Sequence, residues 1–242
     1  MQVSGIITVC LRSGSLSLSK FPPDIQLLAL NALIAGQYKA SLYKTAKDLL
    51  GYGDMTWHTH GKMIEALEAP SKRKLLVMPR GTFKSSVGVV AYSIWLLLNN
   101  PNLRILIDSE KYENSKNFIS EIKGKLEDDR LVKYFGVFKS AAKWTEGAIT
   151  IAQRTKVLKE ASVTASGISA GKTGQHFDVI IHDDLNTEEN SQNIEQRKKI
   201  IRHYKMNLSI LEPDGTLVVI GTRYAIDDVI GTIIEHELGD ES

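Results

Sequence analysis

Apolar residues along this chain fall into two rhythms. Short unbroken runs, Leu75-Leu76-Val77-Met78, Ile105-Leu106-Ile107, Val179-Ile180-Ile181 and Leu217-Val218-Val219-Ile220, read as strands buried on both faces, because a strand with one wet face would alternate. Between them apolar positions recur at helical spacing: Val87 to Leu98, Glu113 to Leu126, Thr187 to Leu208 and Ile226 to Leu238. Strands alternating with helices predict an α/β fold with a mostly parallel central sheet flanked by helices. Leu131 to Ser166 alternates only weakly and predicts shorter strands at a sheet edge, and the stretch from Gly167 to Gly174 has the composition of an exposed loop. Ahead of the first strand, Met1 to Ser19 reads as a loosely ordered lead. Pro22-Pro23-Asp24 then opens a helix whose apolar positions break at Gly36, and a second helix is predicted from Ser41 to Leu50. The chain thus divides into an N-terminal helical segment over 1–55, a lid or subdomain, and a core over 56–242.

Composition narrows the partners little. At 242 residues and 43% hydrophobic content the chain buries a full core. Its formal net charge of +2 is too small to steer nucleic acid by overall field, so any such contact needs local basic patches. A single cysteine, Cys10, leaves no internal disulfide and no cysteine-built metal site, which fits a reducing compartment. The longest apolar stretch, Val87 to Leu98, is shorter than the ~20 residues of a membrane span, and Ile6 to Cys10 lacks the basic residue that would precede a signal peptide. No membrane partner is expected.

Candidate chemistry begins at Lys74 to Ser86, where a strand breaks into a turn and the turn into a helix. Such a turn cradles phosphate on backbone N–H groups and a positive helix end, with a lysine on the outer phosphates and a hydroxyl on magnesium. The residues Pro79, Arg80, Gly81, Thr82, Phe83, Lys84, Ser85 and Ser86 form the loop; Lys84 and Ser85 fit the lysine and hydroxyl roles. Met78 and Phe83 stand where the G-x-x-x-x-G-K-[ST] pattern has glycine. A left-handed backbone at Phe83 would cost about 1–2 kcal/mol. Arg80 supplies a second cation in compensation. Upstream, Trp57 and His60 precede an amphipathic helix and are candidates for stacking on, or hydrogen-bonding to, an adenine; a satisfied Trp-His cluster is an equal reading.

The run Phe177 to Asp184 ends in adjacent acids, and carboxyl ends of parallel strands share one rim. Beside the loop, Asp183 would hold Mg²⁺ and Asp184 would polarise the attacking water. Pro213-Asp214-Gly215 predicts a turn, and the strand after it, Thr216 to Ile220, ends in Gly221-Thr222-Arg223-Tyr224, a polar tip able to sense a γ-phosphate. Lys198, Arg202 and Lys205 share one face of their predicted helix; such a face follows a phosphate backbone or is simply solvated, and both readings stand.

In order and spacing, P-R-G-T-F-K-S, T-G-Q-H-F-D-V-I-I-H-D-D-L and L-V-V-I-G-T-R-Y-A-I-D-D resemble the ATPase domain of tailed-bacteriophage terminase large subunits, from about Trp57 to Leu238. The resemblance implies a P-loop NTPase of the ASCE/RecA-like type that hydrolyses ATP with Mg²⁺ and drives viral double-stranded DNA into a procapsid. It makes Arg80, Lys84 and Ser85 part of an atypical Walker A motif, Asp183 the metal-holding acid, Asp184 the catalytic carboxylate, and Gly221, Thr222 and Arg223 the coupling motif. His60 resembles the histidine ahead of the nucleotide site. Because Asp replaces the more frequent Glu at 184, Glu188 is a second candidate for water activation. Gln175-His176 stands where relatives have arginine, which leaves Lys172 as a candidate trans-acting cation. The implied partners are a portal protein, a terminase small subunit and further copies in a ring, in the host cytoplasm, with a C-terminal nuclease domain expected in the parent protein. A helicase-like or repair ATPase and a non-hydrolysing nucleotide-binding assembly module are the alternatives.

Overall fold

The computed structural model describes residues 21–168 and 174–238. The expected N-terminal lead, most of the 167–174 loop and Lys172 lie outside the described residues. In chain order the elements are α1 (Pro23–Ala40), α2 (Leu42–Lys44) continuing into a π turn (Thr45–Leu49), α3 (Trp57–Glu68) and β1 (Arg73–Val77). A second π turn (Ser86–Ala91) runs into α4 (Tyr92–Asn99), followed by β2 (Ile105–Ser109), α5 (Tyr112–Leu126), α6 (Asp129–Phe135), β3 (Lys139–Trp144), β4 (Ala148–Ile151) and β5 (Val163–Gly167). The chain continues through β6 (Phe177–Asp183), α7 (Glu188–Ser191), α8 (Ile194–Leu208), β7 (Leu211–Gly221) and α9 (Val229–Leu238). Among the described residues no helix is long and apolar enough to cross a membrane.

The strands form one sheet in the order β1-β7-β6-β2-β5-β4-β3. The first five in that order are parallel, and β4 and β3 extend the edge antiparallel. This is the expected α/β architecture, a mostly parallel central sheet flanked by helices, with one strand, β7, between β1 and β6. The unbroken apolar runs follow from burial on both faces. Ile107, Val179, Ile181, Val218 and Ile220 face one cluster with the π turns, α3, α4 and α5, whereas Leu106, Ile180, Leu217 and Val219 face the other with α8 and α9. Leu42, Ala46, Leu49 and Leu50 of the N-terminal helices belong to the first cluster. At the amino ends of the strands Arg104 holds β2, β6 and β7 together, with Nη2 at 2.8 Å from both Asp178 Oδ1 and Glu212 Oε1.

Several boundaries differ from the sequence expectation. Helix α1 runs through Gly36 to Ala40, since an exposed glycine costs only about 1 kcal/mol against alanine and Ser41 caps the next turn. Trp57 to His60 are not a lead-in but the first turn of α3, because the Thr56 hydroxyl accepts the Thr59 N–H at 3.3 Å. The helix expected over 187–208 is two helices: Asn190 completes a capping box with Thr187, and Asn193 opens α8 by accepting the Glu195 N–H at 2.8 Å. Pro213-Asp214-Gly215 is an irregularity inside β7, across which the pairing jumps from Phe177–Leu211 to Val179–Thr216. The final helix starts at Val229, not Ile226, because Asp228 accepts the N–H groups of Tyr224, Ala225 and Gly231.

Candidate nucleotide site

Register places the candidate residues on one rim. Val77 pairs with Gly221, Ile220 with Asp183, and Asp183 with Ser109, so the residues after β1, β7 and β6 emerge side by side at the carboxyl ends. The Met78 N–H donates to Gly221 O at 3.1 Å and the Asp184 N–H to Ile220 O at 2.9 Å, which extends the pairing into the loops.

The loop from Pro79 to Ser85 leaves β1 and returns as the helix that crosses the sheet. Gly81 has φ of 77°, and the Thr82 hydroxyl closes the turn on Pro79 O at 2.8 Å. Phe83, standing where the usual motif has glycine, has φ of 56°, a left-handed backbone that glycine adopts without strain. Its ring explains the exchange. It meets His60 edge-on with centroids 5.6 Å apart and Tyr52 at 6.3 Å, and it packs on the apolar cluster beneath. Each such aromatic pair contributes about 0.5–1.5 kcal/mol, enough together to offset about 1–2 kcal/mol of backbone strain.

Lys84 is buried, and its Nζ donates to Asp184 Oδ1 at 2.6 Å and to Thr222 Oγ1 at 3.2 Å. Ser85 Oγ donates to the Asp183 carboxylate, 2.9 Å from Oδ1 and 3.2 Å from Oδ2. Thr222 in turn donates to Met78 O at 3.2 Å, so β7 is tied to the loop from above. Asp184 has φ of 45°, and with Phe83 it is one of the two non-glycine residues of positive φ among those described. Alternation along β6 would send consecutive side chains to opposite faces. The left-handed turn at Asp184 instead re-aims its carboxylate at Lys84, beside Asp183. Strain of this kind persists where surrounding contacts over-determine it, and both instances fall in this cleft.

Burial pushes the Asp183 carboxyl up to about 7, with Asp184 adding to the rise and the Ser85 hydroxyl and Lys84 opposing it. A magnesium ion fits here. The Ser85 hydroxyl and the Asp183 carboxylate are hard oxygen donors of the kind magnesium takes, and they stand 2.9 Å apart. Among the described residues no cluster of three or more His, Cys, Asp or Glu residues could hold a metal ion.

The other candidates are placed differently. Arg80 Nη2 donates to the Tyr224 hydroxyl at 2.8 Å, which joins the loop to the segment after β7. The Arg223 guanidinium does not enter the Lys84 cluster; it donates to Ala225 O and Ile226 O at 3.3 and 3.1 Å. A Cβ added to Gly221 would stand 3.7 Å from Asp184 Oδ1, in ordinary van der Waals contact. Ser86 begins the π turn behind the loop. His60 is buried with Nδ1 at 3.1 Å from the Thr56 nitrogen and reaches the loop only through Phe83. Trp57, half exposed, lies edge-on to Tyr43 with centroids 5.3 Å apart, and Glu188 is exposed at the start of α7. A cavity of about 300 Å³ lined by Arg73, Leu75, Tyr204, Val219 and Ile233 sits under α8 and α9 and includes none of these residues. Sequence reasoning missed the Arg80–Tyr224 bond, for which no motif or periodicity gives a signal.

No family model matches the chain, and no curated protein is significantly similar to it. Among solved structures it is similar to a Dbp5 variant of S. cerevisiae bound to Nup159, Gle1, IP6 and ADP, with a TM-score of 0.49 and 12% identity over 81% of this chain. It is likewise similar to the large terminase ATPase domain of Thermus phage P74-26, with a TM-score of 0.44 and 16% identity over 74% of this chain. The chain spans 48% of the Dbp5 chain and 68% of the phage domain.

Proposed function

We propose that this cleft hydrolyses ATP and that the protein is the motor domain of a double-stranded DNA packaging machine of the terminase type. The observation that carries the reading is the meeting of Lys84, Ser85, Asp183, Asp184 and Thr222 at one rim, from three segments far apart in sequence. In the proposed chemistry the loop backbone and Lys84 seat the β and γ phosphates. Ser85 and Asp183 would hold Mg²⁺, which when bound neutralises charge on the transferring phosphoryl group. Asp184, released from Lys84 as that lysine turns to phosphate, orients the attacking water and accepts its proton. Arg80 leaves Tyr224 to stabilise the same developing charge. Thr222, bonded to both Lys84 and the loop carbonyl, registers the loss of the γ-phosphate and passes it to the segment after β7. A ring of copies on a portal, with Lys172 of a neighbour as a trans-acting cation, belongs to the same proposal.

The test is steady-state ATPase measured with Mg²⁺. Lys84→Ala and Asp184→Asn are expected to lower kcat by more than a hundredfold, about 3 kcal/mol of transition-state stabilisation, while the protein stays folded by circular dichroism. Turnover at the wild-type rate in either variant overturns the assignment. Translocation is tested separately, by nuclease protection of duplex DNA drawn into procapsids.

A further inference from the structure

Behind the metal-binding strand lies a polar cluster that the chemistry above does not use. Asp108 on β2 and His182 on β6 are register partners, both fully buried, and His182 directly precedes Asp183. Asp108 Oδ2 accepts from His182 Nδ1 at 3.0 Å, from His203 Nε2 at 2.7 Å and from Asn207 Nδ2 at 2.9 Å. His203 and Asn207 stand one turn apart on the buried face of α8, and Tyr204 between them packs its ring 5.8 Å from that of His182.

The opposite face of α8 exposes Lys198, Arg202 and Lys205, and Lys199 is exposed at its flank. Among the described residues none of these has a carboxylate within ion-pair distance, whereas the neighbouring Arg197 is engaged by Asp227 at 2.9 Å. Lys198, Arg202 and Lys205 share one stripe, about 10 Å long at 1.5 Å per residue. A cationic stripe of that length can follow the phosphate backbone of a DNA strand. One helix therefore carries a cationic outer stripe and an inner face bonded to Asp108, which is bonded in turn to His182, the residue before Asp183. Apolar contacts let a helix slide with little change in energy. Three donors converging on one buried oxygen do not, because hydrogen bonds weaken steeply with distance and angle and an unmet buried partner is costly.

We propose that Asp108, His182, His203 and Asn207 are positioning residues that transmit nucleic-acid contact to the hydrolytic acids. A duplex phosphate backbone seated on Lys198, Arg202 and Lys205 shifts α8, and the cluster carries that shift to the end of β6, where Asp183 and Asp184 stand. The inference rests on the reading of the cleft as an ATPase.

The experiment measures ATPase rate against duplex DNA concentration, with DNA affinity read independently by fluorescence anisotropy. The wild type is expected to show at least threefold stimulation. His203→Leu and Asn207→Leu are expected to reduce it below 1.5-fold while the Kd for DNA stays within twofold. His203→Gln, which keeps a donor, restores part of the stimulation. The triple variant Lys198→Gln/Arg202→Gln/Lys205→Gln, confined to the surface, is expected to weaken DNA binding at least tenfold, and it keeps the test open if the leucine variants do not fold. A purely structural cluster would lower basal and stimulated rates by one factor and leave their ratio intact. Absence of hydrolysis in the wild type overturns the ATPase reading and this inference with it. Hydrolysis without DNA stimulation, an intact ratio in His203→Leu, or unchanged DNA affinity in the triple variant overturns the coupling alone.

Discussion

Two side chains in the cleft hold backbone conformations that glycine would hold more cheaply, and each has a reason in what its side chain touches. Phe83 exchanges strain for contact with His60 and Tyr52. Phe83→Ala keeps the strain and loses the contact, so it is expected to destabilise by about 2–3 kcal/mol. Phe83→Gly loses the contact but sheds the strain, and it should be the more stable of the two by about 1 kcal/mol in urea denaturation. Asp183 gives a pH signature. Its folded-state value, about 7, lies above the ordinary 3.8, so the folded protein holds that proton more tightly than the unfolded chain. The stability it contributes is complete below about 4 and is lost as pH rises towards 7. The nucleotide-free protein should therefore show a falling thermal midpoint across that window, and Asp183→Asn should flatten the fall.

At the scale of elements, the helix behind the loop lies close against β7. A Cβ on Gly88 would clash with Ile220 Cδ1, so the absence of a side chain sets how near the helix comes to β7, which leads into Thr222. Gly88→Ala is expected to cost about 1–3 kcal/mol by overpacking. Because the clash is with a terminal methyl, Gly88→Ala/Ile220→Val should be less destabilised than the sum of the single changes, a coupling that a double-mutant cycle in urea reads directly. The same reasoning explains the Asp228 cap: three backbone N–H groups converge on one carboxylate, which fixes the turn carrying Tyr224 opposite Arg80.

For the molecule as a whole, the cleft is an ion-paired junction between the loop and the ends of β6 and β7. A ligand that replaces those pairs with phosphate contacts binds the folded state alone and raises its stability by mass action. At a hundredfold excess over Kd the gain is about 2.7 kcal/mol. Mg²⁺ with a non-hydrolysable ATP analogue should accordingly raise the thermal midpoint of the wild type, whereas Lys84→Ala should show little or no shift under the same conditions. Arg104 secures the opposite ends of β2, β6 and β7, so this gain draws on a sheet already held in register.

The sequence by itself determined the strands of the parallel core, the strand-loop-helix frame around Lys84 and the paired acids at the end of β6. Each of these is written in consecutive residues: unbroken apolar runs, a turn rich in proline and glycine, and a polar stop. Gly36 and Pro213-Asp214-Gly215 misled the boundaries, because local breakers were overridden by helix continuation and by pairing across a bulge. Only the tertiary structure decided that β7 lies between β1 and β6, that Lys84 meets residues 100 and 138 positions away, and that Phe83 and Asp184 turn left-handed. Strand order and the aim of a strand-end side chain are set by contacts between distant segments, and periodicity carries no record of them.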